Sequence, residues 1–231
     1  MTSTTKERPI LFNAPMVRAI LEGRKTVTRR VVKPQYTEGP WSVRSAENPR
    51  HERHSHDWWL PTGTQPYTAL PHCPYGGPGD RLWVRETTEI DEQTTDSAVL
   101  SRYAADGAPV LYSNSSDPAY NGTAAHWDYP RPSRPSIHMH RWASRILLEI
   151  TDVRVERLQD ISEDQALAEG IIPHVRGGWH WHPHDPSNVD DWHQFGFKSA
   201  AYAFQDLWIG TGGNWDANPW VWVVEFKRVT P

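Results

Sequence analysis

The residues best suited to chemistry lie in Gly23-Arg24-Lys25-Thr26-Val27-Thr28-Arg29-Arg30, where four cations, two hydroxyls and one apolar side chain follow one another. A hydrophobic core does not absorb that density of charge, so the segment must meet water, a phosphate or a polar pocket. Lys25 and Thr28 are the types needed for a proton acceptor and a hydroxyl nucleophile. Arg24, Thr26, Arg29 and Arg30 are the types that hold an anionic or polar ligand. The plainer reading is a solvated basic turn. Between Arg18 and Lys33 six cations face one anion, Glu22, while the whole chain has a formal net charge of −4. Local basicity on an acidic protein fits a focused anionic ligand better than tracking along a duplex.

A short helix must deliver this segment. Asn13 is placed as its N-cap, Pro15 suits the first turn, Met16, Val17, Ile20 and Leu21 form one apolar stripe, and Gly23 stops it. In a regular strand Lys25 and Thr28 would point to opposite faces, so bringing them together requires a bend after Gly23 or a curled lysine stem. Arg85 and Glu86 end the apolar run Leu82-Trp83-Val84. They read either as a strand-end ion pair or as base and anion contacts, with Trp83 as a wall or as core. His174, His180, His182, His184 and His193, with Asp185, Asp190 and Asp191 nearby, raise a metal site, but their spacing matches no known ligand pattern and no metal or other cofactor is expected.

Composition bounds the class. The 231 residues allow one large domain or two small ones, and 37% hydrophobic content with 13 Trp, 20 Pro and 15 Gly describes a lean core among many loops. One cysteine, Cys73, excludes an internal disulfide and fits a reducing cytoplasm. The N-terminus lacks the apolar run of a signal peptide, and no stretch reads as a membrane span.

Periodic segments alternate with Pro-, Trp- and His-rich ones. Strands are expected over Ile10–Phe12, Lys25–Val32, Arg81–Glu86, Ser101–Ala105 and Ser144–Val155, the last with a bulge near Thr151-Asp152 where the apolar phase slips. Ser162-Glu163-Asp164-Gln165 is a capping box opening a helix through Glu169 that Gly170 closes. Ala200, Ala203, Phe204, Leu207 and Trp208 mark another helix face. In the last strand Trp220, Trp222, Val224 and Phe226 share a face opposite Glu225 and Lys227. The class is α+β in one domain, a small barrel or curled sheet whose insertions, 34–78, 107–140 and 172–198, are irregular.

The glycine-arginine-lysine-threonine segment after a helix, followed by Gly79-Asp80-Arg81-Leu82-Trp83-Val84-Arg85-Glu86, resembles the ASCH domain family of the PUA-like superfamily. Cys73-Pro74-Tyr75-Gly76 and Trp83-Val84-Arg85-Glu86-Thr87 are similar to the longer members encoded by phages and prophages. The resemblance covers 8–33, 79–106, 141–171 and 199–229. It implies a small β-barrel with flanking helices, a cleft for a modified nucleoside or single-stranded RNA, and, for a phage protein, the host cytoplasm. One bacterial branch deacylates N4-acetylcytidine with a Lys, a Thr and a Glu, and these types fall here on Lys25, Thr28 and Glu169.

Cleaving an acylated cytosine needs a nucleophile, a proton acceptor and an oxyanion stabiliser. Thr28 would attack or position water, and Glu169 would orient the partners or bind the base edge. Lys25 would accept the proton once its pKa falls from about 10.4 to near neutrality, a cost of about 4 kcal/mol. Set against this amidohydrolase are a non-catalytic binding module for RNA or modified nucleic acid and a phage structural protein, which no residue supports.

Overall fold

β1 (Glu7–Leu11) passes into α1 (Ala14–Leu21) through Asn13, whose Oδ1 accepts from the Met16 N–H at 3.0 Å, with Pro15 in the first turn. Gly23, at φ 75°, ends the helix, and the N–H groups of Arg24 and Lys25 both donate to Ala19 O, at 2.9 and 3.0 Å. That is the bend the sequence calls for. β2 (Val27–Val31) follows. The computed structural model describes residues 5–36, 41–51, 53–91, 98–112, 119, 122–183 and 195–230.

Next come β3 (Ser42–Ser45), β4 (His56–Trp59), β5 (Pro66–Ala69), β6 (Arg81–Arg85), β7 (Thr88–Ile90), β8 (Ser101–Tyr103), β9 (Ser133–Arg134) and β10 (Leu147–Arg157). Then α2 (Glu163–Ala168), β11 (Ile172–Pro173), β12 (Trp179–His180), α3 (Ala200–Gly210) and β13 (Trp220–Val229) complete the order. Five strands make the main sheet in the order β1-β6-β10-β13-β2, with β1 parallel to β6 and the other pairs antiparallel. The bulge falls where the sequence places it, between Ile150 and Asp152.

The fold is α+β and rich in sheet. The closed barrel is not formed among the described residues: β1 and β2 are outer strands with no ladder between them. α1 links them, and side chains bridge the gap. Arg30 Nη2 donates to Leu11 O at 2.9 Å while its guanidinium lies 5.3 Å from the Phe12 ring centre.

Apolar clusters cover both faces of the sheet. Ile10, Phe12, Leu82, Val84, Leu148, Trp222, Val224 and Phe226 pack with Val17 and Ile20 of α1. Val27, Val221 and Val223 pack with Ala166 of α2 and Ala203, Phe204 and Leu207 of α3. β13 is therefore half-polar only at its far end, at Glu225 and Lys227, because α2 and α3 cover the rest of the face expected to be polar. Trp222 is core, and half-buried Trp220 packs beside it under the Arg157 guanidinium, 4.5 Å from its ring centre.

The insertions are more ordered than their composition implies. Within 34–78, β3-β4-β5 form a three-stranded sheet, and fully buried Trp58 joins it to the main core. β7, β8 and β9 pair around 107–140, and β11 and β12 form a hairpin within 172–198. Pro, His and Trp obscure the period-two pattern in these short strands, where aromatic packing stabilises pairing. No helix among the described residues is long and apolar enough to cross a membrane.

Candidate functional site

Glu169 sits where α2 ends. Ser162 Oγ accepts from the Gln165 N–H, and Gln165 Oε1 accepts from the Ser162 N–H, so the predicted capping box is complete. Gln165 Nε2 also reaches the Glu156 carboxylate at 3.2 and 3.3 Å. Glu163 accepts from the N–H groups of Ala200 and Ala201, which fixes α2 against the start of α3. Gly170 follows with φ 102°, and a Cβ there would lie 2.9 Å from that of Ala19 and 3.4 Å from that of Lys25. Only glycine permits this approach of α2's end to the basic turn.

The result is a buried ion pair. Lys25 Nζ donates to Glu169 Oε2 at 2.5 Å, to Glu169 O at 3.0 Å and to Val27 O at 2.9 Å. Both side chains are essentially sealed, at 0% and 2% exposure. Burial is the largest influence on Lys25 and lowers its pKa, Glu169 opposes through charge and hydrogen bonding, and the Arg30 and Arg29 cations add to the lowering. The lysine stem thus curls back as the sequence allows, placing Nζ against the peptide carbonyl that precedes Thr28. Thr28 itself is buried, and its Oγ1 has no hydrogen-bond partner among the described residues.

Arg29 is a carboxylate clamp rather than an open ligand contact. Its Nη1 lies 3.1 Å from Glu169 Oε1 and its Nη2 3.2 Å from Glu156 Oε2, with the guanidinium sealed. Glu156 continues to Arg154, which also binds Asp152 and Glu225. Arg24 pairs with Glu22 and donates to Gly170 O at 2.8 Å, while exposed Thr26 holds α2's end through its N–H on Ala168 O. The basic segment is therefore largely interior, each buried cation being met by a carboxylate.

A cavity of about 550 Å³ opens along β2. Glu169, Arg29, Arg30 and Val31 form one side, and Phe12, Met16, Phe204, Leu207 and Trp208 supply apolar walls. Lys25 and Thr28 lie behind this lining rather than in it. Arg85, Glu86 and Trp83 belong elsewhere, contrary to the expected cleft. Glu86 is buried in a two-pronged pair with Arg145, which also binds Asp106. Burial pushes the Glu86 pKa up and Arg145 opposes it. Arg85 donates to Met139 O at 3.2 Å and stacks 5.1 Å from the ring centre of half-buried Trp83, on the sheet face away from Leu82 and Val84. Leu82 and Val84 take the sheet face packed against α1, while Arg85 shares the other face with its register partner Leu11 and is held off the cavity by the Met139 carbonyl.

Sequence reasoning missed Glu156, Phe204 and Trp208 as site residues. Glu156 alternates with Val153 and Val155, a signal for one polar strand face, but nothing local pairs it with Arg29. Among the described residues no group of three or more His, Cys, Asp or Glu side chains is arranged to hold a metal. His184, His193, Asp185, Asp190 and Asp191 lie outside the described residues. Compared with known proteins, the chain matches no family model, no curated protein and no solved structure.

Proposed function

We propose that the protein hydrolyses an N4-acylated cytidine, in keeping with its resemblance to the ASCH family, within a single PUA-like domain built from 8–33, 79–106, 141–171 and 199–229. The observation that carries this reading is the sealed Lys25–Glu169 contact at 2.5 Å directly behind a cavity whose wall includes Glu169. A lysine whose pKa is lowered by burial, beside a cavity, is what proton-transfer chemistry requires. Glu169 accepts a proton from the attacking water as the water oxygen bonds to the acyl carbon. The carbon–N4 bond then breaks, and the proton shared between Glu169 and Lys25 passes to N4, leaving cytidine and a carboxylate. Thr28, whose hydroxyl is otherwise unused, orients the water, or attacks the acyl carbon in its place, the Thr28 ester then being cleaved by water to free the carboxylate.

A modified nucleoside or a single-stranded RNA segment is the substrate, and the cytoplasm the setting. One observation favours the binding module instead: Lys25 spends all three ammonium hydrogens on oxygen acceptors, as a structural cation does. The test is release of cytidine from N4-acetylcytidine by the pure protein beside its Lys25→Met and Thr28→Val variants. Turnover by the wild type, lost in both variants, is expected. Absence of turnover together with RNA binding would replace the hydrolase with the module.

A further inference from the structure

The rungs between β2 and β13 decide where each main-chain group of β2 points. Val32 N–H donates to Trp220 O at 3.0 Å and Phe226 N–H donates to Thr26 O at 2.9 Å. With Thr28 opposite Val224 and Arg30 opposite Trp222, the even-numbered residues bond to β13. Residues 27, 29 and 31 therefore turn their N–H and C=O groups to the outer side of this edge strand. Two of those carbonyls are occupied, Val27 O by Lys25 Nζ at 2.9 Å and Arg29 O by Arg30 Nη1 at 3.1 Å. The N–H of Arg29 and both main-chain groups of Val31 have no partner among the described residues. Arg29 is only 1% exposed. Buried main-chain donors left unpaired are rare in folded proteins, and this outer side of β2 belongs to residues that line the cavity, Arg29 and Val31.

We propose that this open edge of β2 is the reading element of the cavity, and that it takes the hydrogen-bonding edge of a pyrimidine. Val31 N–H donates to a ring nitrogen or carbonyl oxygen, Val31 C=O accepts from the exocyclic N–H, and Arg29 N–H donates to a neighbouring carbonyl oxygen. Phe12, Phe204 and Trp208 supply apolar surface for the ring. An added peptide strand is the poorer fit. It needs the alternate carbonyls of 27 and 29 as well as the N–H groups, and side chains already hold both carbonyls. The inference rests on the nucleoside reading above and commits it to main-chain recognition.

The experiment is titration of ¹⁵N-labelled protein with cytidine, followed by amide shifts and hydrogen exchange. The amides of Arg29 and Val31 should shift and exchange more slowly, while those of Thr28 and Arg30, already bonded to β13, change little. Val31→Pro removes one donor but no rung to β13, a substitution an edge strand tolerates. It should weaken cytidine about tenfold, as for one lost hydrogen bond, and by clearly more than Val31→Ala, which trims the side chain and keeps the donor. The wild-type titration decides by itself if the proline variant does not fold. Absence of cytidine binding, binding without movement of these two amides, or their movement only with an extended polyalanine peptide would overturn the proposal. Hydrolysis of N4-acetylcytidine with both amides unmoved would leave deacylation standing and remove the edge. Moved amides without hydrolysis would do the reverse.

Discussion

At the scale of single residues, Lys25 and Glu169 hold each other at the back of the cavity wall, both side chains nearly sealed. Sealed partners make truncation costly. Removing Glu169 leaves Lys25 buried with no carboxylate, whereas removing Lys25 leaves Glu169 its Arg29 contact at 3.1 Å, so Glu169→Gln should cost about 3–5 kcal/mol and Lys25→Met less. The double variant should cost clearly less than the sum, as urea denaturation of all four proteins would show; additive losses would mean the two do not interact. Turnover should be just as non-additive, the double variant hardly slower than either single one. The lysine also sets a pH dependence. Its pKa is lower folded than its ordinary 10.5, so the unfolded chain binds that proton more readily. The resulting penalty is full below the folded pKa and fades as pH rises toward 10.5. Wild-type stability relative to Lys25→Met should therefore increase with pH across the alkaline range, and a flat difference in urea midpoints would contradict the lowered value.

At the scale of elements, the end of α2 is the part on which the site depends most. Gly170 approaches Ala19 so closely that a methyl group would lie 2.9 Å from its Cβ, at a φ of 102° that other residues avoid. Gly170→Ala should cost roughly 1–3 kcal/mol and move Glu169, so calorimetry should show lower stability and the assay lower turnover. Unchanged values in both would mean the turn yields without strain. The same stretch shows what a sequence makes legible. Ser162, Gln165, Glu169 and Gly170 could be read because capping is local chemistry, four to nine residues in extent. The contact of Glu169 with Lys25 was reachable only through a family likeness, since 144 positions separate them. The carboxylate partners of Arg29 were hidden for a related reason: a cation in a basic run looks solvent-facing until a distant Glu156 is placed against it. Glu86 likewise waits for Arg145. The bulge in β10 and the buried face of α3 were visible as breaks and repeats of apolar phase, whereas β3–β5 were hidden because short aromatic strands carry little periodicity.

At the scale of the whole molecule, the smaller sheet is tied to the larger one by Trp58, which meets Tyr36 at 5.1 Å and Trp220 at 6.3 Å between ring centres. Trp58→Ala should cost about 3–5 kcal/mol and speed hydrogen exchange in β3–β5 before the five-stranded sheet opens; uniform exchange would show that both sheets unfold together. The open sheet has a further consequence, for how copies of this chain behave beside one another. A sheet with two outer strands offers two templates on which a neighbour's strand could grow. Here one outer strand, β1, carries Pro9, which has no N–H to give. The other, β2, has two of its outward carbonyls covered by its own lysine and arginine heads. β1 lacks a donor that a new rung would need and β2 would first have to give up bonds it already makes, so resistance to strand-on-strand aggregation is written into Pro9 on one edge and into Lys25 and Arg30 on the other.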